Sequence, residues 1–302
     1  MFASDQYELL DYGNGRRLER FGPWILDREC PIVERMSQED SAPWSDAHSC
    51  FLREASDKGV WRDAVHEFPE RWTIKHGLST FELKRTQFGH LGIFPEQAVN
   101  WDWITAFVKN APRPFRVLNL FAYTGGSTLA AALGGAEVTH VDSAKSVVAW
   151  ARRNAELSGL TDAPIRWIAE DAMKFVRREV KRGRRYDAVI LDPPSYGHGT
   201  KGEIWRLSQH LPQLLSLCAE LTSLKPSTLD GVDPEHPHNI PSGHREQFVL
   251  LTCHTPGFDC PELESMLRET LGAGRIESNR LTIATSTGRR LPSGFMARWI
   301  RS

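Results

Sequence analysis

Beyond residue 90 the chain alternates short, continuous apolar runs with stretches of helical periodicity. Val117, Leu118 and Leu120 make the first run, which Gly125-Gly126 ends; a helix is predicted over 128–133 with Ser127 as its cap. Runs at 138–141, 165–168, 186–191 and 248–252 read as further strands. Helices are predicted over 98–109, 144–157, 172–181 and 204–224, the last kinked at Pro212. A final helix, 261–271, precedes two strands at 275–284 and 295–301. Strands apolar on both faces and separated by helices belong to a parallel sheet, and the terminal pair adds one antiparallel member. The expected class is α/β, built on a seven-stranded, mostly parallel sheet.

Residues 1–90 follow another pattern. Pieces at 7–10, 17–21, 24–26, 72–75 and 80–84 are short and strand-like, His76-Gly77 supplies a hairpin turn, and Phe81 and Leu83 alternate with Glu82 and Lys84. Two domains are expected: a small β-rich unit over 1–90 and a larger α/β unit over 91–302. Trp24, Trp44, Trp61, Trp72 and Phe81 sit at strand spacing, which favours a core role over base stacking. The small domain is expected to shape one wall of a cleft.

The strand ends carry the candidate chemistry. Gly125-Gly126 lets backbone approach a ligand, and the helix after it offers unpaired N–H groups and the positive end of its dipole. Asp142 ends the next strand, where a right-handed crossover sets it beside the glycine loop and in reach of both hydroxyls of a ribose. Glu170-Asp171 and Asp192-Pro193-Pro194-Ser195-Tyr196 close the third and fourth strands, so acids recur along the carboxyl edge at which open α/β sheets bind ligands. The loop has a glycine pair where a dinucleotide site shows G-x-G-x-x-G, which argues against a diphosphate grip.

Together these motifs resemble the class I S-adenosylmethionine-dependent methyltransferases, a Rossmann-like fold. The resemblance implies S-adenosyl-L-methionine as cofactor, with its amino-acid part wrapped by Asn119, Phe121, Ala122, Tyr123, Thr124, Gly125 and Gly126. It further implies that Asp142 takes the ribose, that Asp171 contacts adenine, and that Asp192, Pro193, Pro194, Ser195 and Tyr196 face the target. Gly92-Ile93-Phe94-Pro95-Glu96-Gln97 is similar to a cofactor-covering segment in one branch, the bacterial 23S ribosomal RNA large-subunit methyltransferases, which include cytosine-5 enzymes. That likeness implies cofactor contacts from Phe94, Pro95 and Gln97, and ribosomal RNA as substrate. It runs over 80–298, takes in Leu251-Thr252-Cys253-His254, and leaves out the extra N-terminal RNA-binding domain of many relatives.

Two acceptor chemistries are open. Carbon 5 of cytosine becomes nucleophilic once a thiolate adds to carbon 6, which makes Cys253 the candidate nucleophile and Asp192 the group that holds the ring. Cysteine is equally a common buried strand residue, and His254 stands where the carbon-5 members usually have serine. The alternative is an exocyclic amine, its hydrogens accepted by Asp192 and its base stacked on Tyr196, although Ser195 intervenes. A small-molecule or protein acceptor, and a non-catalytic module retaining the pocket, are further readings; the carboxylates at successive strand ends argue against the last.

Composition changes little in this picture. The 302 residues carry a net charge of −1, so attraction to nucleic acid would come from a local patch. The basic group Arg177, Arg178, Lys181, Arg182, Arg184 and Arg185 reads as a solvated helix end, away from the loops, whereas Lys201 and Arg206 beside the glycine-rich 197–202 stretch are placed to reach a phosphate. Residues 225–246, with His236, His238 and His244, read as an inserted surface loop and not a metal site. Five cysteines without a C-x-x-C pair, and an opening without an apolar signal, fit a cytoplasmic location. No apolar run reaches the roughly 18 residues that span a bilayer, so no membrane role is expected.

Overall fold

The computed structural model describes residues 1–39, 42–54, 58–111, 114–198, 204–222 and 246–301. Its first sheet joins β1 (Tyr7–Gly13), β2 (Arg16–Phe21), β3 (Trp24–Glu29), β4 (Ser49–Arg53) and β5 (Gly59–Asp63) in chain order. β3 and β4 are parallel and the other neighbours antiparallel. β4 and β5 have no counterpart among the predicted elements. β5, Gly-Val-Trp-Arg-Asp, exposes or half-exposes every residue, so it lacks the apolar alternation by which a strand is recognised. The hairpin of β6 (Trp72–His76) and β7 (Ser79–Leu83) follows as predicted, then a 3₁₀ turn, Pro95–Gln97, which runs directly into α1 (Ala98–Asn110).

The larger sheet begins with β8 (Arg116–Leu120), α2 (Gly126–Gly134), β9 (Glu137–Asp142), α3 (Lys145–Leu157), β10 (Ile165–Ala169), α4 (Ala172–Lys181) and β11 (Ala188–Leu191). A short hairpin, β12 (Tyr196–His198) with β13 (Ile204–Arg206), leads to α5 (Leu207–Thr222). The chain finishes with β14 (Gln247–Cys253), α6 (Cys260–Leu271), β15 (Arg275–Ala284) and β16 (Arg290–Arg301). The strand order is β10-β9-β8-β11-β14-β16-β15, with β16 the antiparallel member, which is the α/β class and seven-stranded sheet expected. The strand order reverses between β8 and β11 at the sheet centre, the place where open sheets bind ligands.

Two predicted details differ. Ser127 is not a cap: α2 begins at Gly126, and Gly125 stands at the N-cap position in the left-handed conformation with no side-chain hydrogen bond. The helix predicted from residue 204 starts at Leu207, because Ile204–Arg206 pair with Tyr196–His198 instead. Most of the 225–246 stretch and Lys201 lie outside the described residues.

Alternation along the central strands divides the core into two layers. Val117, Ala188, Ile190, Phe248 and Leu250 face one apolar cluster with Ile104, Val108 and Leu129 of α1 and α2. Leu118, Leu120, Val189, Leu191, Val249, Leu251 and Cys253 face the other, with Phe175, Leu211, Leu215, Leu263 and Leu267 of α4 to α6. The first cluster continues into the N-terminal sheet through Leu9, Phe21, Leu26, Phe81 and Trp101. Phe81 stacks on Trp101 at 5.1 Å, while Trp44, Trp61 and Trp72 are half-buried and each donates its indole N–H to the protein, so these aromatics are core and not free platforms.

The β6–β7 hairpin is docked by buried polar bonds. Asn154 on α3 accepts from the Glu82 N–H at 2.8 Å and donates to the Thr124 carbonyl at 2.9 Å; Trp150 donates to the Glu82 carbonyl at 2.9 Å. Asn154→Ala would orphan a buried N–H and a buried carbonyl, each costing about 1–3 kcal/mol. We expect urea unfolding to show a loss of about 2–4 kcal/mol for this variant, and a loss under about 0.5 kcal/mol would remove the clamp from this account.

Candidate cofactor and acceptor site

The loop between β8 and α2 has an unusual backbone. Phe121 (φ 54°), Tyr123 (φ 48°) and Gly125 (φ 92°) are all left-handed, and for the two aromatic residues that conformation costs about 1–3 kcal/mol each. Specific bonds hold it. The Tyr123 N–H donates to Asp142 Oδ2 at 3.0 Å, the Ala122 N–H to the Val141 carbonyl at 3.1 Å, and the Thr124 hydroxyl to the Gly92 carbonyl at 2.6 Å. Asp142 uses its other oxygen for the Ala144 N–H at 3.0 Å, so one carboxylate ties two loops together. Burial raises this carboxyl, opposed by the backbone N–H groups it accepts from. Gly126 has a further reason to be glycine: a Cβ there would lie 2.4 Å from the Trp101 ring.

Two hollows meet at Phe121. The first is bounded by Phe94, Gln97, Asn119, Tyr123, Gly126 and Asp192. The second lies between Phe121, Trp205, Pro194 and Ala172, with Asp142 and Asp171 at its side. Asp142, Asp171 and Asp192 thus stand at one edge of the sheet, as the strand pattern predicts. Asp171 also caps α4, accepting from the Lys174 N–H at 2.9 Å, and Glu170, also at the side of the second hollow, pairs with Arg178.

Asp192 is the most heavily engaged acid. Gln97 Nε2 donates to Oδ2 at 3.3 Å, the Thr252 hydroxyl donates to Oδ1, and His254 Nε2 stands 3.6 Å from the same oxygen. Burial would raise this carboxyl, but its pairing with the charged His254, with the Thr252 hydroxyl, holds it below its ordinary value. Burial likewise opposes charge on His254; Asp192, then Glu96 and the Ser293 backbone, outweigh it and raise the imidazole to about 9. The pair is therefore carboxylate and imidazolium at neutral pH. Phe94 packs 5.3 Å from the Tyr123 ring and 6.5 Å from His254, so aromatic faces surround the mouth beside Asp192.

Comparison with known proteins decides which ligand such a site serves. A family model described as S-adenosylmethionine-dependent methyltransferase matches residues 57–233. A crystal structure of the SAM dependent methyltransferase from Agrobacterium tumefaciens is 37% identical, with a TM-score of 0.85, over 97% of this chain and 90% of that one. The chain belongs to the S-adenosylmethionine-dependent methyltransferases. Ribosomal RNA large subunit methyltransferase I of Aeromonas salmonicida is 43% identical over 49% of this chain and 39% of its own length. Ribosomal RNA large subunit methyltransferase K/L of Shewanella baltica is 33% identical over 43% of this chain and 18% of its own. The matched part is therefore less than half of either relative.

S-adenosylmethionine is the cofactor of this methyltransferase, and the hollows suit it. A narrow apolar slot flanked by carboxylates, joined at Phe121 to a loop with polar backbone, matches a nucleoside attached to a charged amino acid. Pro95 lies outside the first hollow and faces another cavity, unlike Phe94 and Gln97. Among the predicted acceptor residues, Tyr196 is 51% exposed, Ser195 bonds Thr255 at 2.6 Å, and the Pro194 carbonyl accepts from Trp205 Nε1 at 2.7 Å.

Cys253 is brought to the strand end but not to the site floor. Alternation along β14 puts Thr252 on the Asp192 side and Cys253 on the other, fully buried against the α4–α6 layer. Burial raises its thiol and Asp192 adds to the effect, while Thr255 opposes it. Sequence reading missed Trp205, whose ring lies 4.9 Å from Phe121, and missed the ionic role of His254. Trp205 was hidden in a stretch predicted as helix; the Cys-His pair drew attention to the cysteine.

Two outcomes follow. Asp142→Ala removes the acceptor that holds Tyr123 N–H, so calorimetry should show S-adenosylmethionine bound at least tenfold more weakly, about 1.4 kcal/mol. Because the folded imidazole lies at about 9 against an ordinary 6.5, its contribution to stability is complete below pH 6.5 and disappears as pH rises through about 9. The stability difference between the wild type and His254→Gln should shrink across that window; a difference that stays flat from pH 6 to 10 would contradict the ion pair.

Proposed function

We propose that this methyltransferase methylates a base of RNA, ribosomal RNA being the substrate that the names of the two relatives suggest. The observation that carries the reading is the mouth of the site: an ionised Asp192 beside Phe94, Tyr123 and the His254 imidazolium. Aromatic faces next to a fixed hydrogen-bond acceptor are what an unstacked base needs. The N-terminal unit, residues 1–90, supports the segment that closes this mouth.

The bound cofactor supplies an electrophilic methyl on a sulfonium, and the acceptor's lone pair takes it as the carbon–sulfur bond breaks. The chain contributes position. We assign the 119–126 loop to the amino-acid part, Asp142 to the ribose, and Asp171 with Trp205 and Phe121 to adenine. Phe94 and Gln97 cover the cofactor; Asp192 and the 193–196 segment hold the acceptor. Positioning of this kind can lower a barrier by about 7–11 kcal/mol.

The acceptor best supported is an exocyclic amine, whose hydrogen Asp192 accepts and whose surplus proton it takes once the methyl has transferred. Cytosine carbon 5 is the second reading. It places a thiolate on Cys253, and the strand end beside Asp192 favours it, whereas the thiol's facing and raised pKa weigh against it. Radiolabelled transfer to RNA from cells lacking the protein, followed by mass spectrometry of nucleosides, tests both. Asp192→Ala should lose about 100-fold or more in rate, and Cys253→Ala should stay within about threefold, with an N-methyl product. Abolition by Cys253→Ala with cofactor binding intact, and a 5-methylcytosine product, would establish the carbon-5 route; absence of transfer to any RNA would sink the RNA reading.

A further inference from the structure

Another cavity, of about 620 Å³, borders the site across the turn Pro95–Gln97. Phe94 and Gln97 line the cofactor hollow, while Pro95 and Glu96 line this cavity. Its walls are Phe2 with Tyr7 and Leu9 of β1 on one side and Leu281, Ile283 and Met296 of β15 and β16 on the other, and a bridge joins Leu9 to Thr285 just past β15. Its size lies within the range of small-ligand sites, roughly 300–1,000 Å³.

The polar groups in it are unevenly satisfied. Glu96 and Asn100 are 8% and 0% exposed, and Glu96 Oε2 and Asn100 Oδ1 are both buried with no hydrogen-bond partner among the described residues. Such acceptors cost about 1–3 kcal/mol each when left unpaired, so a ligand offering N–H donors would recover that energy. Asn100 leads back to the site: its Nδ2 donates to Gln97 Oε1 at 2.8 Å, and Gln97 Nε2 donates to Asp192 at 3.3 Å. Cations stand on the far wall. Arg280 and Arg290 are exposed on β15 and β16, and Arg298, paired with Glu277 at 3.3 Å, still has a buried Nε without a hydrogen-bond partner among the described residues. The acid at the rim, Glu8, pairs with Arg20 at 3.5 Å.

Apolar walls, deep acceptors and outer guanidinium groups describe a site for a planar heterocycle carrying N–H donors and a phosphate. We propose that this cavity binds a guanine nucleotide of the RNA strand being methylated, its N1–H and N2–H₂ edge on Glu96 and Asn100 and its phosphate on Arg280 and Arg290. The identity of the strand rests on the RNA reading above; the nucleotide site does not. Occupancy would brace Asn100, and through Gln97 the carboxylate that faces the acceptor.

The test titrates guanosine 5′-monophosphate into the full chain saturated with S-adenosylhomocysteine, so that the cofactor hollow is filled. Saturable binding is expected. The double variant Arg280→Glu/Arg290→Glu should weaken it at least tenfold, and Thr282→Trp, which fills the cavity from β15, should abolish it, both with unchanged affinity for S-adenosylhomocysteine. The double variant should also raise KM for RNA about tenfold at unchanged kcat. Lack of binding, or equal binding by wild type and both variants, overturns the site. If the nucleotide binds as expected and no RNA is methylated, the RNA reading fails and the site remains. If RNA is methylated and neither variant alters nucleotide binding or KM, the site fails and the RNA reading remains.

Discussion

The left-handed backbone at Phe121, Tyr123 and Gly125 is the constraint on which the rest of this methyltransferase depends. Two aromatic residues do not adopt that conformation unless surrounding groups over-determine it. Asp142 from β9, Asn154 from α3 and the Gly92 carbonyl from the segment before α1 all bind this one loop. Parallel strands alone would not create the site. Its shape comes from a helix, a strand end and a pre-helical segment converging on a few strained residues.

That convergence explains why the N-terminal sheet and hairpin pack where they do. Glu82 on β7 is bonded through its backbone to Asn154 and Trp150, so the hairpin is locked to the same helix that steadies the loop. Trp101 fills the space that a side chain at Gly126 would need, and Phe81 stacks on Trp101 in turn. The glycine pair, read from the chain as room for a ligand, is equally room for the protein's own tryptophan. Both demands act on the same few cubic ångströms.

Electrostatics then separate roles among acids that look alike. Asp142 is tied to backbone N–H groups, Asp171 caps a helix, and Asp192 is matched with an imidazolium. Burial raises the first, while the His254 pairing keeps the third ionised despite burial. The carboxylate next to the aromatic mouth is thus the one held ionised by a partner charge.

The amino-acid sequence by itself determined the sheet and the edge on which its acids stand, because apolar runs such as 117–120 and 188–191 can be buried only between helices, and each is followed at once by its loop. Most element boundaries were legible for the same reason; β5 was not, since an exposed strand carries no period, and β4 was not, since its five residues bury only Ser49 and Phe51. Tertiary structure decided what each side chain at that edge does. Cys253 and His254 are adjacent in the chain, yet the period of a strand turns one into the α4–α6 layer and the other toward Asp192. Trp205 and the Glu96–Asn100 cavity depend on elements far apart in sequence meeting in space, and local pattern holds no record of that.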